Sequence, residues 1–221
     1  MKPYEFNSAA YATSRCTQDE IRSQRIVPLV GSNRVVLDVG CLDGTVAELF
    51  LKNGNTVYGV DASRPAIEKA LQRGIKAELG NLEEPLRFED GFFDVVFAGE
   101  IIEHVYDIDL FLSEIFRVLK PGGSLVVTTP NLATLGRRLL LLMGKNPHIE
   151  ISFTGDAAGH IRYFIRDTLA DILHKHGFAI ALFTSDSVNF NGSGTRHSEW
   201  LARLIPSLGR TLIMKVQKDD K

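Results

Sequence analysis

Two carboxylates and an imidazole follow one another closely at Glu100, Glu103 and His104. They come directly after residues 94–98, a short apolar run that we interpret as a strand. Spacings of three and four residues would place the three side chains on one face of a helical turn. Such a set suits a divalent cation, because carboxylates bind Mg²⁺ and the imidazole also admits Mn²⁺ or Zn²⁺.

A fourth member of this set is His160, in the segment of residues 159–165 (GHIRYFI). We expect this segment to fold back onto the same end of the sheet. Without a metal, His104 or His160 would serve as a general base, since imidazole titrates near neutral pH. The catalytic candidates are therefore His104, Glu103 and His160. The structural alternative is that Glu103 and His104 merely pair with each other.

A second group of residues with chemical meaning lies in residues 35–47 (VVLDVGCLDGTVA). A β-branched run ends at Asp38, Gly40 and Gly44 follow, and a helical pattern then begins. The pattern predicts a buried strand, a tight loop and a helix. Glycine allows the loop to turn sharply and to approach a ligand closely. In open α/β sheets, nucleotide-like ligands bind at the edge where such a strand leads into its loop and helix.

Asp61 ends the next predicted strand and lies 21 positions after Gly40. An acid at this place can accept hydrogen bonds from ribose hydroxyls. A dinucleotide would require the spacing G-x-G-x-x-G, because its pyrophosphate lies on the helix N-terminus. Here the glycines are Gly40 and Gly44, and Asp43 would repel a pyrophosphate. S-adenosylmethionine carries a sulfonium and an amino group instead, so the acids favour that cofactor.

Four motifs stand in a recognisable order, at residues 37–41 (LDVGC), 59–61 (GVD), 93–96 (FDVV) and 117–123 (RVLKPGG). On these motifs the chain resembles the class I S-adenosylmethionine-dependent methyltransferases over residues 34–130. The family loop usually has glycine at the position of Leu42. The resemblance implies a cofactor site made of Asp38, Gly40, Cys41, Gly44, Asp61, Ala62, Asn81, Leu82, Gly99 and Arg22.

Two of those residues have a specific role by resemblance. Many relatives have an acid at the position of Asn81, which bonds the adenine amino group, and the amide oxygen of Asn81 could make a weaker version of that contact. Arg22 lies in a predicted helix over residues 18–30, from which similar enzymes extend an arginine to the cofactor carboxylate. The alternatives are an ordinary turn asparagine and a solvated helix face.

The cluster around Glu103 resembles two groups of O-methyltransferases. In the ubiquinone-biosynthesis enzymes an E-x-x-E-H motif precedes a later histidine segment, and in small-RNA 2′-O-methyltransferases two glutamates and two histidines hold a metal on the terminal ribose. The resemblance implies a metal site at Glu100, Glu103, His104 and His160. Such a metal would lower the pKa of the acceptor hydroxyl and align its oxygen with the methyl group.

The elements that must position these residues alternate between strands and helices. Alternation of this kind predicts an α/β fold, a Rossmann-like doubly wound seven-stranded sheet that is mostly parallel. By resemblance, the last strand is antiparallel. The predicted strands are residues 34–39, 56–60, 75–79, 94–98, 124–129, 178–184 and 211–216, and the predicted helices are residues 18–30, 44–53, 64–73, 110–119, 132–143 and 166–176.

We expect one domain over residues 1–221, with substrate or lid segments at 1–20, 132–165 and 185–209, which lack family motifs. The apolar helix at 132–143 carries Arg137 and Arg138 and is too short to span a bilayer. Three interpretations are open for it: a lid over the acceptor, an interfacial helix on lipid headgroups, or a helix packed in the core.

Composition narrows the function. The net charge of −2 gives no global basic field, which argues against nucleic acid as a partner, and only two cysteines are present. The N-terminus lacks the pattern of a signal peptide, so we expect a cytoplasmic protein. The leading hypothesis is methyl transfer to a hydroxyl, or alternatively an amine, of a small-molecule, lipid or sugar acceptor. Its rivals are an RNA 2′-O-methyltransferase, a nicotinamide-dependent oxidoreductase and a non-catalytic cofactor-binding module. Oligomeric state is left open.

Overall fold

A computed structural model of the chain describes residues 20–147, 149, 159–190 and 196–219. Strands and helices alternate through its first half, as the hydrophobic pattern predicts. The strands of this half are β1 (Val35–Val39), β2 (Thr56–Asp61), β3 (Lys76–Leu79), β4 (Phe93–Gly99) and β5 (Leu119–Pro130). The helices are α1 (Glu20–Val30), α2 (Thr45–Lys52), α3 (Arg64–Gln72) and α4 (Ile108–Val118).

The second half completes the sheet through a more irregular path. It contains α5 (Leu135–Leu142), α6 (Arg166–Lys175), β6 (Phe178–Thr184), a two-stranded ladder of β7 (Val188–Asn189) and β8 (His197–Ser198), α7 (Glu199–Leu204), a 3₁₀ turn (Pro206–Leu208) and β9 (Thr211–Lys218). The described part of residues 185–209 thus has secondary structure of its own.

The main sheet has seven strands in the order β3-β2-β1-β4-β5-β9-β6. The pairs among β1 to β5 are parallel, and β9 runs antiparallel to both β5 and β6. This confirms the predicted seven-stranded, mostly parallel sheet with an antiparallel last strand. The carboxyl ends of β1, β2, β4 and β5 therefore meet at one edge, which we call the carboxyl edge.

Helices cover both faces of the sheet. Successive strand residues point to opposite faces, so apolar neighbours in one strand pack against helices on both sides. Val36 packs with Ile26 of α1 and Phe50 of α2 on one face. Leu37 packs with Leu112 of α4 and Leu169 of α6 on the other. Val36 and Leu37, which are adjacent in β1, are both fully buried, as expected for a parallel sheet that is covered on both faces.

The prediction for the start of β5 was wrong. Residues 120–123 (KPGG) were expected to form a turn ahead of a strand at 124–129, but β5 begins at Leu119. The pairing with β4 jumps from Leu119 to Ser124, so the intervening residues bulge out of the strand. Gly122, at a φ of 67°, supplies the left-handed conformation that such an irregularity needs.

The apolar helix α5 is not part of the core. It is capped by Thr134, whose hydroxyl accepts a hydrogen bond from the main-chain N–H of Arg137, and none of its side chains is buried. The core-packed interpretation of residues 132–143 is therefore wrong. None of the helices in the described ranges is long and apolar enough to cross a bilayer.

Candidate functional site

The loop after β1 has the backbone conformation that its glycines predict. Gly40 and Gly44 have φ angles of 77° and 76°. A Cβ on Gly40 would lie 2.9 Å from Ile101 Cδ1, and one on Gly44 would lie 3.1 Å from the Cα of Ala70. Both positions thus require glycine, for conformation and for space.

Leu42, where relatives usually have glycine, also adopts the left-handed conformation, with a φ of 46°. An L-residue in this region is strained by about 1–2 kcal/mol. Its main-chain N–H donates a hydrogen bond of 2.9 Å to Asp61 Oδ2, which helps to hold the strained conformation. Leu42 therefore adopts a conformation that glycine would adopt without strain.

Asp38 and Asp61 lie buried beside this loop. Burial, followed by the charge of Asp61, raises the pKa of Asp38 to about 8. Burial also raises the pKa of Asp61, and the main-chain N–H groups of Ser63 and Leu42 partly offset that shift. Each oxygen of Asp61 accepts one of these N–H bonds and retains a further lone pair, which a ribose hydroxyl could use.

Cys41 has its side chain turned into the fold. A Cβ on Gly59 would come within 2.7 Å of its sulfur, and burial raises the pKa of the thiol far above its usual range. The thiol is therefore packed behind the loop, so only main-chain atoms of Cys41 are suited to contact a cofactor. The role of Cys41 as a cofactor contact stays a prediction in that restricted form.

The remaining predicted cofactor residues lie along the same carboxyl edge. Gly99 ends β4, Ala62 is exposed directly after Asp61, and Leu82 packs against the core. Asn81 accepts a hydrogen bond from the N–H of Glu83 and thereby closes a tight turn. This is the ordinary turn role, and the amide oxygen has a second lone pair for an adenine contact, which stays a prediction.

Arg22 reaches this edge from α1. Its guanidinium Nη1 lies 3.3 Å from Glu100 Oε2, while Glu100 Oε1 accepts a hydrogen bond of 2.9 Å from the Thr128 hydroxyl. Burial raises the pKa of Glu100, and the charge of Arg22 opposes that shift. Arg22 is thus placed at the carboxyl edge with a carboxylate as one of its partners, and its contact with the cofactor carboxylate stays a prediction.

The expected helical turn at residues 100–104 was wrong. Glu100 has a φ of 53°, in the left-handed region, and residues 101–104 form turns rather than a helix. The side chain of Glu100 consequently points to Arg22 and Thr128. Among the described residues, the group that could hold a metal contains Glu103, His104 and His160 without Glu100.

Glu103, His104 and His160, which we call the acid–histidine cluster, come together as predicted. Their ligand atoms all lie within 4.8 Å of one another. Glu103 Oε1 is 3.9 Å from His160 Nε2, an ion-pair distance that is too long for a hydrogen bond. The rings of His104 and His160 have centroids 5.0 Å apart.

Glu103 is the most unusual member of the cluster, because its carboxyl is almost wholly buried. Oε2 accepts a hydrogen bond of 2.9 Å from the Thr129 hydroxyl, whereas Oε1 is buried without a hydrogen-bond partner. Burial, followed by the charge of Glu100, raises the pKa of Glu103 from its ordinary value of 4.5 to about 8. A buried polar atom without a partner is costly, and such atoms concentrate at functional sites.

The segment that carries His160 folds back as the sequence analysis predicted. The N–H groups of Ile161 and Arg162 both donate to the carbonyl of Glu103, at 3.1 and 3.2 Å. The Arg162 guanidinium donates to the carbonyls of Val105 and Tyr106. His104 Nδ1 lies 3.2 Å from the carbonyl of Gly159. Main-chain bonds thus fix both histidines beside Glu103.

Sequence reasoning missed the two threonines at the end of β5. Thr128 and Thr129 are fully buried, and their hydroxyls hold Glu100 and Glu103 respectively. The signal was available: two hydroxyl residues at the carboxyl end of a central strand reach the same edge as the acids that follow β4. Tyr163, with its ring centroid 6.1 Å from that of His160, was also missed.

The cluster suits proton transfer at the carboxyl edge, and its donor set also fits a divalent cation. One carboxylate oxygen without a hydrogen-bond partner and two imidazoles are donors that Mg²⁺ or Mn²⁺ can use, although a site of three protein ligands would need water or substrate to complete it. Proton transfer requires only the imidazole and the carboxyl that are present.

Comparison with known proteins connects this geometry to a family. A family model described as a methyltransferase domain matches residues 15–182. The mitochondrial ubiquinone biosynthesis O-methyltransferase of Homo sapiens is 32% identical over 164 residues, which cover 69% of this chain and 43% of that protein. The ubiquinone biosynthesis O-methyltransferase of Chelativorans sp. (strain BNC1) is 38% identical over 101 residues, 43% of this chain and 40% of that protein.

This chain thus spans less than half the length of these two curated relatives. Among solved structures, a SAM-dependent methyltransferase from Methanosarcina mazei superposes with a TM-score of 0.67 at 20% identity, covering 89% of this chain and 98% of that one. At this identity the superposition shows a shared fold.

Proposed function

Because the chain belongs to the class I S-adenosylmethionine-dependent methyltransferases, we propose that it transfers the methyl group of S-adenosylmethionine to a hydroxyl of a small-molecule, lipid or sugar acceptor. The names of the curated relatives, which are O-methyltransferases, support a hydroxyl over an amine. The observation that carries the proposal is the acid–histidine cluster at the edge where the cofactor loop also lies.

His160 is the better candidate for the general base. Its side chain is 18% exposed, whereas that of Glu103 is 2% exposed. The acceptor oxygen attacks the methyl carbon, the S–CH₃ bond breaks with its electron pair going to sulfur, and His160 Nε2 takes the hydroxyl proton. Ionised Glu103, 3.9 Å away, would stabilise the imidazolium that forms.

The cofactor would lie over the loop of Gly40 to Gly44, with its ribose on Asp61. The sulfonium is an excellent leaving group by itself. The protein therefore mainly aligns the acceptor and removes its proton, and it needs little else for the in-line displacement.

A methyl-transfer assay with radiolabelled S-adenosylmethionine over acceptor panels tests the proposal. We expect His160→Ala to lower turnover about 10²–10⁴-fold while S-adenosylhomocysteine binding persists. His174, exposed on α6, provides the matched control in His174→Ala. Unchanged turnover in the His160 variant would remove the cluster from the reaction.

A divalent cation at the cluster is a second candidate, supported by its three donors within 4.8 Å. Glu103, His104 and His160 would hold the cation, and the cation would lower the pKa of the acceptor hydroxyl. Glu100 does not belong to this set in the described geometry. Chelation with EDTA followed by Mg²⁺ or Mn²⁺ add-back decides between the two: activity that is indifferent to chelation leaves only the base.

The rival functions have separate tests. An RNA 2′-O-methyltransferase would bind RNA and retard it in a gel-shift experiment at moderate salt. The net charge of −2 argues against this function. A nicotinamide oxidoreductase would bind NAD(H) in calorimetry and not S-adenosylhomocysteine, which family membership disfavours. A non-catalytic module would bind the cofactor and show no transfer to any acceptor.

A further inference from the structure

Six large apolar side chains lie exposed on two neighbouring helices. Leu142 is 84% exposed and Trp200 is 69% exposed, and the others are at least half exposed. Isolated exposed apolar residues are ordinary, whereas a grouped set marks an interaction surface. We call this group the docking face: it consists of Leu139, Leu141, Leu142 and Met143 at α5, and Trp200 and Leu204 of α7.

The two helices are neighbours because both lie against the same short ladder. Both α5 and α7 contact β7. The guanidinium of Arg138 on α5 donates to the carbonyl of Ser207, which follows α7 in the chain, at 3.4 Å. Thr134 and Ser198 cap the helices and fix where each begins.

The charged residues on the two helices and in the turn after α5 are mostly positive. Residues 132–147 contain Arg137, Arg138 and Lys145 and no acid. Arg203 is exposed on α7, and the one acid of that helix, Glu199, is bonded to Arg25 at 3.0 Å. Leucines and a tryptophan bordered by basic side chains match the chemistry of an anionic lipid surface, where tryptophan lies at the headgroup level.

We propose that the docking face binds the surface of an anionic phospholipid bilayer. A short connection joins this face to the carboxyl edge, where the acid–histidine cluster lies. Residue 131 follows β5 at the carboxyl edge and bridges Phe164, and the N–H of Leu132 donates to the carbonyl of Phe164. Four residues separate β5 from α5. Docking would therefore bring the carboxyl edge to the membrane, where an acceptor carried in the lipid phase is reached.

Sedimentation with vesicles tests this proposal. The full chain is mixed with vesicles of phosphatidylcholine alone or with vesicles of phosphatidylcholine and anionic phosphatidylglycerol. We expect binding to the anionic vesicles, and we expect added salt to weaken it. Removal of one basic side chain should lower the affinity about fivefold. Leu142→Glu and Trp200→Glu should each lower the bound fraction at least about tenfold, and Lys145→Glu should lower it through charge alone.

Leu71→Glu is the matched control, because Leu71 is 52% exposed on α3, outside the docking face. It should bind vesicles as the unsubstituted chain does, and unchanged thermal melting of each variant verifies the fold. No binding to anionic vesicles, or equal loss in Leu71→Glu, overturns the proposal.

A second copy of the chain is the competing occupant. If light scattering shows a dimer that Leu142→Glu converts to a monomer, and no vesicle binding occurs, the face is a dimer interface and the proposal fails. Vesicle binding is measured without cofactor, so its failure is distinct from a failure of methyl transfer.

Discussion

Glu103→Gln is the substitution with the most informative expected outcome. Glutamine has the shape of the protonated acid, and its amide oxygen can still accept the hydroxyl of Thr129. It removes the ability to ionise and puts an amide nitrogen in the place of Oε1, which lies 3.9 Å from His160 Nε2. If Glu103 is a buried functional acid, the protein should become more stable while it loses activity.

The sign follows from the raised pKa of Glu103. The folded protein keeps this proton up to about pH 8, whereas an unfolded chain loses it near pH 4.5. The folded state is therefore favoured most below pH 4.5, and this contribution is lost as the pH rises toward 8. Each pH unit in that window corresponds to about 1.4 kcal/mol. At pH 7 the glutamine variant should gain up to about 3 kcal/mol of unfolding free energy, and near pH 4 it should gain almost none.

The assay is thermal melting of the unsubstituted chain and the variant at pH 4, 7 and 9, in EDTA so that a cation cannot change the pKa of Glu103. A gain of 3 kcal/mol corresponds to a rise in Tm of roughly 6–12 °C for a chain of this size. Glu68→Gln, on the exposed side of α3, is the control and should shift nothing. In parallel, turnover of the unsubstituted chain should rise through about pH 8 as Glu103 ionises.

Destabilisation of Glu103→Gln at pH 7 would refute this reasoning. It would mean that an ionised Glu103 is held by His160 as a structural ion pair, whose loss costs about 3–5 kcal/mol. A Tm difference that does not change with pH would refute it equally.

Three further outcomes are expected. Leu42→Gly should change the unfolding free energy by less than about 1 kcal/mol in urea melts, since relief of left-handed strain offsets the greater freedom of glycine; a loss above 2 kcal/mol would contradict the strain. Gly44→Val should cost about 2 kcal/mol or more and abolish S-adenosylhomocysteine binding in calorimetry, because its Cβ would press on Ala70; full binding would contradict this. Arg210 Nε and Nη2 donate hydrogen bonds of 2.8 and 2.5 Å to Oδ2 of the buried Asp186. Asp186→Ala leaves Arg210 without this carboxylate and should lower the urea midpoint by an amount equivalent to about 2 kcal/mol. An unchanged midpoint would show that these two bonds contribute little.

The sheet could be predicted because its strands are buried on both faces and bounded by glycine turns. β6 was predicted with its observed ends, and the other predicted elements differ from the observed ones by a few residues at their ends, whereas the β7–β8 ladder, α7 and the 3₁₀ turn were not predicted. The bulge after Leu119 could not be predicted, because its register depends on pairing with Phe93, which is distant in sequence. The exposure of α5 was likewise undecided, since an apolar helix has the same sequence pattern in a core or on a surface.

The cluster was predicted in part for a similar reason. Glu103 and His104 follow β4, and His160 returns to them, so topology alone brings the three together. Glu100 was misplaced because helical spacing was assumed for residues that form turns, and a positive φ at a glutamate has no sequence signal. Parts of the three predicted substrate or lid segments, at residues 1–19, 148, 150–158 and 191–195, lie outside the described residues.

The most direct test of the central claim is a calorimetric titration of S-adenosylhomocysteine into the unsubstituted chain, Asp61→Asn and Glu103→Gln. Asp61 ends β2 and accepts a hydrogen bond from the loop after β1, whereas Glu103 belongs to the acid–histidine cluster, so the two variants separate cofactor binding from proton transfer. We expect binding to the unsubstituted chain and to Glu103→Gln, and a loss of at least about tenfold in Asp61→Asn. No binding to the unsubstituted chain, or equal affinity in Asp61→Asn, would contradict the account.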